Sequence, residues 1–283
     1  MSLYKPSILK KSLGKLDTNP KKTLSQNFLI DGNILQKIIL GSEVTEGDFC
    51  VEIGPGTGIL TEALIKNGAT ILAIEKDSIL ASRLKQVACS NLEVIEQDFL
   101  TYPLKETLYD KLRETQKAKV ISNIPYHLTT PIIHTLLPLH SCISTVTLMV
   151  QKEVALRCLA MKGEDKYGAL SLFVHFFSDP KYLFTVESTC FYPRPSVTSA
   201  VIQFSLHPPK TTIPASFFLQ IARHVFQKRR KMLRVSLSDR FPAKTIVSIL
   251  ESIGFMKETR PEELSIQSFI AFCELLFLEK PTF

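Results

Sequence analysis

The four residues 123–126, Asn-Ile-Pro-Tyr, bring together groups that suit the binding of a flat amine such as adenine. The amide oxygen of Asn123 and the backbone carbonyl of Pro125 can accept hydrogen bonds from an exocyclic amino group, and Tyr126 offers an aromatic face for stacking. Holding both N–H bonds pyramidalises a nitrogen whose lone pair is otherwise delocalised, so the chemistry indicated is the positioning of a weak nucleophile. A base held in this way must be unpaired or flipped out of a helix.

A glycine-rich segment, Val-Glu-Ile-Gly-Pro-Gly-Thr-Gly at residues 51–58, lies between a strand-like run and a helical pattern. Gly54 and Gly56 would allow the backbone to approach a ligand, and the helix that follows would present free N–H groups. Glu75 comes 21 residues after Gly54, at the end of the next strand-like run, where a carboxylate can accept both hydroxyls of a ribose. We therefore predict that this region binds a cofactor that contains a nucleoside.

The spacing of the glycines decides between two classes of cofactor. Dinucleotide enzymes carry the pattern G-x-G-x-x-G, whereas this chain has glycines at 54, 56 and 58 and an acidic residue, Glu52, before them. A carboxylate here disfavours a pyrophosphate but suits the cationic aminoacyl end of S-adenosylmethionine, so we expect S-adenosylmethionine rather than NAD(P). Asp98, just past the third predicted strand, can accept from the adenine amino group of that cofactor or serve as a helix N-cap.

The elements that must position these residues follow from the alternation of β-branched runs with helical patterns. Strands are predicted at 49–53, 70–75, 92–96, 119–123 and 145–150, and helices at about 59–67, 77–87, 130–137 and 152–161. Such alternation predicts a doubly wound, mostly parallel sheet, with the runs at 182–186 and 197–204 as an antiparallel pair at its edge. The motifs then fall at the carboxyl ends of the strands, where ligands of open α/β sheets bind.

The composition changes after Ser205, where a proline-rich stretch at 207–214 precedes helical spacing that continues to Leu278. We predict three parts: a basic N-terminal arm at 1–24, a Rossmann-like S-adenosylmethionine-dependent methyltransferase domain at 25–206, and a small helical RNA-binding domain at 207–283.

The positive charge of the chain, +7 in total, is concentrated in two segments. Residues 1–24 hold six Lys and one Asp. These charges are explained equally well by a solvated surface and by contact with a polyanion. Residues 223–244 hold eight Lys or Arg and one Asp, among helix-spaced apolar residues. Clustered cations on an ordered surface favour binding to the phosphate backbone of a nucleic acid. The predicted RNA contacts are Lys228, Arg229, Arg230, Lys231 and Arg234.

Other classes of protein fit the sequence less well. No apolar run is long enough to cross a bilayer, because Glu274 interrupts the best candidate, and the N-terminus lacks the apolar core of a signal peptide. The six cysteines have neither close pairs nor histidines at metal-ligand spacing, so we expect neither disulfides nor a metal site. A cytoplasmic protein is expected.

Seven separate motifs resemble the ribosomal RNA adenine dimethyltransferase family, in the order in which that family carries them. They lie at residues 21–31, 51–58, 122–126, 151–154, 167–170, 191–200 and 226–231. The resemblance runs from about residue 20 to about residue 270 and implies the bacterial small-subunit enzyme. That enzyme places two methyl groups on N6 of each of two adjacent adenosines in a hairpin loop near the 3′ end of 16S rRNA, late in the assembly of the 30S subunit.

The resemblance also implies roles for residues at matching positions. It assigns contacts with the cofactor to Asn27, Leu29, Gly54, Glu75, Asp98 and Asn123. It makes Tyr126 and Phe191 the two aromatics that flank the target base. Arg194 departs from the family, which often has proline or another small residue there. A monomer is expected.

Two alternative functions remain open at this point. A related branch of the family methylates large-subunit rRNA and confers macrolide resistance, but the basic segment at 228–231 fits the small-subunit branch better. A non-catalytic RNA-binding assembly factor would have the same fold without turnover. The intact Asn123, Pro125 and Tyr126, together with Glu75 and Asp98, argue against that second alternative.

Overall fold

The structure is a computed structural model that describes residues 14, 19–21, 24, 26–87 and 89–279. The chain divides into two compact units. Among the described residues, the first unit contains those up to Ala155 together with Pro180–His207, and the second contains Leu156–Asp179 and those from Pro208 onward.

The first unit is built on a seven-stranded sheet. Its strands are β2 (Phe49–Ile53), β3 (Thr70–Glu75), β4 (Leu92–Glu96), β5 (Ala118–Asn123), β6 (Ile143–Gln151), β7 (Ser178–Val186) and β9 (Ser199–Leu206). Their spatial order is β4-β3-β2-β5-β6-β9-β7, and β2 to β6 pair in parallel. Val51, Leu72 and Val120 are fully buried, as central parallel strands with both faces covered require. The predicted α/β fold with a mostly parallel sheet is confirmed.

The two strands predicted at 182–186 and 197–204 are neighbours at one edge of the sheet, as β7 and β9. Strand β9 runs antiparallel to β6 and lies between β6 and β7, so the outermost strand is β7 and the antiparallel strand is one position inside the edge. A separate two-stranded sheet joins β1 (Phe28–Leu29) to β8 (Phe191–Tyr192). These two strands were not predicted, because two residues are too few to show a periodicity of two.

Helices of the first unit alternate with its strands, and those at 32–41 and 104–111 are additional to the predicted ones. They are α1 (Gly32–Gly41), α2 (Ile59–Lys66), α3 (Ser78–Lys85), α4 (Leu104–Lys111) and α5 (Thr129–Leu136). Helix α6 (Lys152–Leu159) begins in the first unit and ends in the second. Aspartates cap two of these helices: Asp31 accepts from the amides of the first turn of α1, and Asp77 does so for α3.

The second unit is helical and has an aromatic core. Its helices are α7 (Ala169–Phe177), α8 (Ala215–Gln227), α9 (Leu233–Ser236), α10 (Ala243–Ser252) and α11 (Ile266–Leu278). Phe218 of α8 stacks on Phe176 of α7 with ring centroids 4.0 Å apart, and its edge meets Phe269 of α11 at 5.4 Å. Aromatic pairs of this kind add about 0.5–1.5 kcal/mol each beyond the area that they bury.

The predicted domain at 25–206 extends over parts of both units. Residues 156–179 belong to the second unit, because the buried phenylalanines of α7 pack with α8 and α11. No helix among the residues described is both long and apolar enough to span a membrane.

Candidate active site

A cavity lies at the carboxyl ends of the parallel strands, where the sheet topology was expected to bring the motifs together. Most of the predicted site residues of the first unit line it: Asn27, Leu29, Gly54, Gly56, Glu75, Asp98, Asn123, Pro125 and Tyr126. Each follows the end of a strand or belongs to the segment at 26–29. The predicted site is therefore one place in the structure, with the exception of Phe191.

The glycine-rich loop has positive φ angles, which residues other than glycine adopt only with strain. Gly56 and Gly58 have φ angles of +58° and +84°. A Cβ atom on Gly56 would lie 3.0 Å from the ring of Phe28, and one on Gly58 would lie 2.6 Å from Cδ2 of Leu84. The loop thus packs closely against its neighbours before helix α2 begins.

Glu75 ties the end of β3 to this loop. Its Oε2 accepts from the amide of Gly56 at 2.9 Å, and its Oε1 accepts from the amide of Asp77 at 2.8 Å. Burial raises the pKa of Glu75, while these backbone hydrogen bonds act in the opposite direction. Since each carboxylate oxygen has a second acceptor position, Glu75 can shape the loop and still accept from ligand hydroxyls.

Asp98 acts as an N-cap, which is one of the two roles that the sequence predicted for it. Its Oδ1 accepts from the amide of Leu100 at 3.0 Å, and its Oδ2 forms an ion pair with Nζ of Lys76 at 2.8 Å. The hydrogen bond from Lys76 is the main reason why the pKa of Asp98 is below its usual value. The carboxylate lining the cavity is therefore ionised at neutral pH, and its contact with an adenine amino group stays a prediction.

Glu52 is buried, with 2% of its surface exposed, and its Oε2 accepts from Oγ1 of Thr61 at 2.6 Å. Burial raises the pKa of Glu52 to about 8, the charge of Glu75 acts in the same direction, and the bond from Thr61 opposes them. In the protein without a cationic ligand, burial therefore favours the neutral form of this carboxyl, and the predicted contact of Glu52 with a cationic aminoacyl group stays a prediction.

The raised pKa predicts how stability depends on pH. Between about pH 4.5 and about pH 8, Glu52 is ionised in the unfolded chain but protonated in the folded protein. Folding takes up a proton in this window, so the free energy of unfolding falls as the pH rises through it. The variant Glu52→Gln, which is always neutral, should lose less stability over that range by a few kcal/mol, because one pKa unit corresponds to about 1.4 kcal/mol.

Urea unfolding at pH 5, 6.5 and 8 measures this difference. Glu62→Gln, an exposed glutamate on helix α2, is the control and should follow the wild-type curve. Glu75 also has a raised pKa but is present in every protein compared, so the difference isolates Glu52. Parallel curves for wild type and Glu52→Gln would refute the assignment.

Asn123 ends strand β5 with its amide in a defined orientation. Its Nδ2 donates to the backbone carbonyl of Asn27 at 3.1 Å. Because the nitrogen is engaged in this bond, the amide oxygen is the end that remains an acceptor. The predicted acceptor role of Asn123 is thus compatible with its hydrogen bonding.

Pro125 and Tyr126 begin a short 3₁₀ helix, Tyr126–Leu128. The carbonyl of Pro125 accepts from the amide of Leu128 at 3.0 Å and has a second acceptor position. The hydroxyl of Tyr126 lies 2.6 Å from Oγ of Ser199 on β9, and burial raises the pKa of Tyr126. The tyrosine is neutral and anchored at its hydroxyl end.

Phe191 is the predicted site residue that does not line the cavity. It is 3% exposed and pairs with Leu29 in the two-stranded sheet, within an apolar cluster that includes Ile38 and Ile59. The pairing of β1 with β8 draws the ring into the core. In this arrangement Phe191 supports the segment at 26–29, and its contact with a target base stays a prediction.

The cations of the basic segment in the second unit differ in their contacts: some bind backbone carbonyls and others are exposed. Helix α8 ends at Gln227, and residues 228–231 form turns rather than helix. The guanidinium of Arg229 donates to the carbonyls of Glu164 and Asp165, and Nε of Arg234 donates to the carbonyl of Lys257. The exposed cations of the predicted set are Lys228, Arg230 and Lys231.

Sequence reasoning missed the partners that hold these groups in place. Thr61, Asp77 and Ser199 were given no role. Asp77 carries a signal that could have been used, since an aspartate directly before a helical pattern indicates an N-cap. Its further bonds to Lys21 and Gln26 join residues more than 50 positions apart and leave no trace in local spacing.

Comparison with known proteins shows the family of the chain. The family model described as ribosomal RNA adenine dimethylase matches residues 17–277. A protein of Protochlamydia amoebophila named ribosomal RNA small subunit methyltransferase A is 46% identical over 279 residues, which cover 98% of each chain. The protein of the same name in Chlamydia caviae is 41% identical over 98% of this chain and 99% of its own.

Solved structures show the same fold. A dimethyladenosine transferase from Plasmodium falciparum superimposes with a TM-score of 0.75 at 25% identity, over 90% of this chain and 100% of its own. The 23S rRNA methyltransferase ErmE has a TM-score of 0.66 at 23% identity, over 88% and 99% of the two chains, and shows likeness of fold alone. By the family model and by these relatives of near-equal length, the chain belongs to the ribosomal RNA adenine dimethylase family.

Proposed function

We propose that the protein is an S-adenosylmethionine-dependent methyltransferase that dimethylates N6 of two adjacent adenosines in the 3′-terminal hairpin loop of 16S rRNA, late in 30S assembly. Membership of the family and the names of the small-subunit relatives support the class of reaction and of substrate. The observation that carries the proposal is the orientation of Asn123, whose amide oxygen is an acceptor in the same cavity that Glu75 and Asp98 line.

The residues of the cavity fit S-adenosylmethionine. Gly54 has a φ of +65°, and a Cβ atom there would meet nothing within 4 Å, so a ligand can approach its backbone. Glu75 is placed to accept from ribose hydroxyls, and Asp98 to accept from the adenine amino group. Asn27 and Leu29 belong to the segment that lines the cavity beside them. When bound, this donor supplies an electrophilic methyl group on a sulfonium.

The side chains at 123–126 act on the adenosine. The Asn123 amide oxygen and the Pro125 carbonyl accept from the N6 amino group, and the ring of Tyr126 stacks on the base. Fixed acceptors hold the nitrogen in a pyramidal geometry, so its lone pair becomes available for attack on the methyl carbon, and the proton that the methylated amine then loses passes to water. A monomethylated amine retains one N–H bond, which the same acceptors can hold, so a second transfer is compatible with the site.

Methyl transfer to 30S particles that lack the modification tests this function. Wild-type protein with tritiated donor should label 16S rRNA, and mapping should place the label on two adjacent adenosines. Label in 23S rRNA would instead support the large-subunit alternative. Tight RNA binding without incorporation would support a non-catalytic assembly factor and would overturn the enzyme proposal.

Glu75→Gln tests the cofactor half of the site by itself. We expect the affinity for the donor to fall about 10-fold to 100-fold, since hydrogen bonds to charged groups contribute about 1.5–3 kcal/mol and both Gly56 and Asp77 lose a charged acceptor. Calorimetric titration measures the change.

Glu96→Gln is the matched control for this substitution. Glu96 is the register partner of Glu75 on β4, but it is half-exposed and faces Lys85. Its donor affinity should equal that of wild type. Equal affinity of Glu75→Gln and Glu96→Gln would mean that Glu75 does not hold the donor.

A further inference from the structure

The carboxylate of Asp77 does more than cap helix α3. Its Oδ1 accepts from the amides of Ile79 and Leu80 as the N-cap. Its Oδ2 accepts from Nε2 of Gln26 at 3.0 Å and pairs with Nζ of Lys21 at 2.9 Å. The cap needs only one oxygen, so the second is committed to the segment that precedes strand β1.

Lys21, Gln26 and Asp77 form a closed group, here called the Asp77 clasp. The Oε1 of Gln26 accepts from the amide of Lys21 at 2.8 Å, so each member contacts the other two. The Asp77 side chain is 1% exposed. Its burial would raise the pKa of Asp77, yet the bonds from Lys21 and Gln26 hold that pKa below its usual value. Only the Asp77 side of the pair is withdrawn from water, because the Lys21 side chain is 38% exposed.

The clasp lies at one end of a chain of contacts that reaches the base-binding residues. Residues 26–29, which follow directly from it, line the cavity. Within them, the carbonyl of Asn27 accepts from Nδ2 of Asn123. The backbone amide of Asp77 donates to Glu75. The clasp therefore links the carboxylate predicted to hold the donor with the amide predicted to hold the adenosine.

We propose that Lys21, Gln26 and Asp77 are positioning residues that fasten residues 26–29 along the cavity, so that the donor is retained and the Asn123 amide is held as an acceptor. This inference rests on the proposed function for its effect on catalysis. Its structural part, the fastening of the segment, stands on the contacts alone. A role of Asp77 as a helix cap only is the competing explanation.

Two substitutions separate these explanations. Asp77→Asn retains an N-cap, because asparagine caps as well as aspartate, but it loses the charge that Lys21 needs. Gln26→Ala removes the amide of the clasp and is not part of any helix cap. Asp48→Asn is the matched control: it breaks the ion pair with Lys119, 2.8 Å long, at the opposite end of the strands, before β2 begins.

Hydrogen exchange in the protein without donor gives the first measurement. The amide of Ile30 donates to the carbonyl of Cys190, and exchange in a peptide covering residues 26–31 reports whether the segment is fastened. We expect exchange about 10-fold faster in Gln26→Ala and in Asp77→Asn, the effect of losing one charge-assisted hydrogen bond. Asp48→Asn should exchange like wild type.

Kinetics give the second measurement. Each clasp variant should release the methyl donor about 10-fold faster and lower kcat by a similar factor. The double variant should be no worse than Asp77→Asn alone, because that single change already removes the bond between Gln26 and Asp77. The effects of unrelated structural damage would multiply in the double variant.

The outcomes are distinct. Wild-type exchange in both single variants, or multiplied losses in the double variant, would overturn the clasp. If Asp77→Asn does not fold, the exchange and release rates of Gln26→Ala still test the clasp. If wild-type protein transfers no methyl group, the proposed function fails, while the exchange and release rates continue to test the clasp.

Discussion

Asn123→Ala should lower kcat for methyl transfer to adenosine by about 10³-fold, the upper part of the range found when one oriented hydrogen-bonding group is removed from a site that stabilises developing charge. The variant keeps Pro125 and Tyr126 but loses the amide oxygen that is left as an acceptor by the bond to Asn27. Donor binding should be weaker yet measurable, because Glu75 and the glycine-rich loop are untouched. Single-turnover transfer and calorimetric titration measure the two quantities separately.

Asn123→Asp refines this prediction. An aspartate restores an accepting oxygen but has no N–H for the Asn27 carbonyl, and its second oxygen would face that carbonyl instead. We expect its activity to lie between that of Asn123→Ala and that of wild-type protein. Near-normal turnover of Asn123→Ala would refute the proposed hydrogen bond between the N6 amino group and Asn123. Wild-type activity of Asn123→Asp would show that the bond to Asn27 has no positioning role.

The parts of the site that the sequence could predict are those set by strand order. Gly54, Glu75, Asp98 and Asn123 each follow an apolar run, and parallel strands bring their carboxyl ends to one edge of the sheet. Local spacing is therefore enough to place such residues together. The same reasoning found the five parallel strands, β2 to β6, to within about two residues, the usual uncertainty of element ends.

The parts that could not be predicted depend on tertiary contacts. The apolar face of helix α7 shows in the sequence, but nothing local tells that it packs on α8 and α11. The burial of Phe191 follows from pairing between β1 and β8, which are far apart in the chain. The protonation of Glu52 depends on how completely the fold removes it from water.

The double variant Arg230→Glu/Lys231→Glu should bind RNA about 10-fold to 100-fold more weakly at physiological salt and should flatten the dependence of log affinity on log salt. Both residues are exposed in the turns after helix α8. Each phosphate contact contributes about 0.9 to that slope for a duplex and about 0.7 for a single strand, so losing two contacts should lower its magnitude by about 1.4–1.8. Binding to a 16S rRNA fragment at several salt concentrations measures both effects.

Arg229 is the informative comparison for that variant, because it belongs to the same basic segment but has a different task. Its guanidinium donates to the carbonyls of Glu164 and Asp165, so we expect Arg229→Gln to lower the melting temperature of the second unit and to leave the salt slope unchanged. Donor affinity should not change in either protein. An unaltered slope in Arg230→Glu/Lys231→Glu would mean that these exposed cations do not contact phosphates, whereas a reduced slope in Arg229→Gln would mean that Arg229 leaves its carbonyl partners to bind RNA.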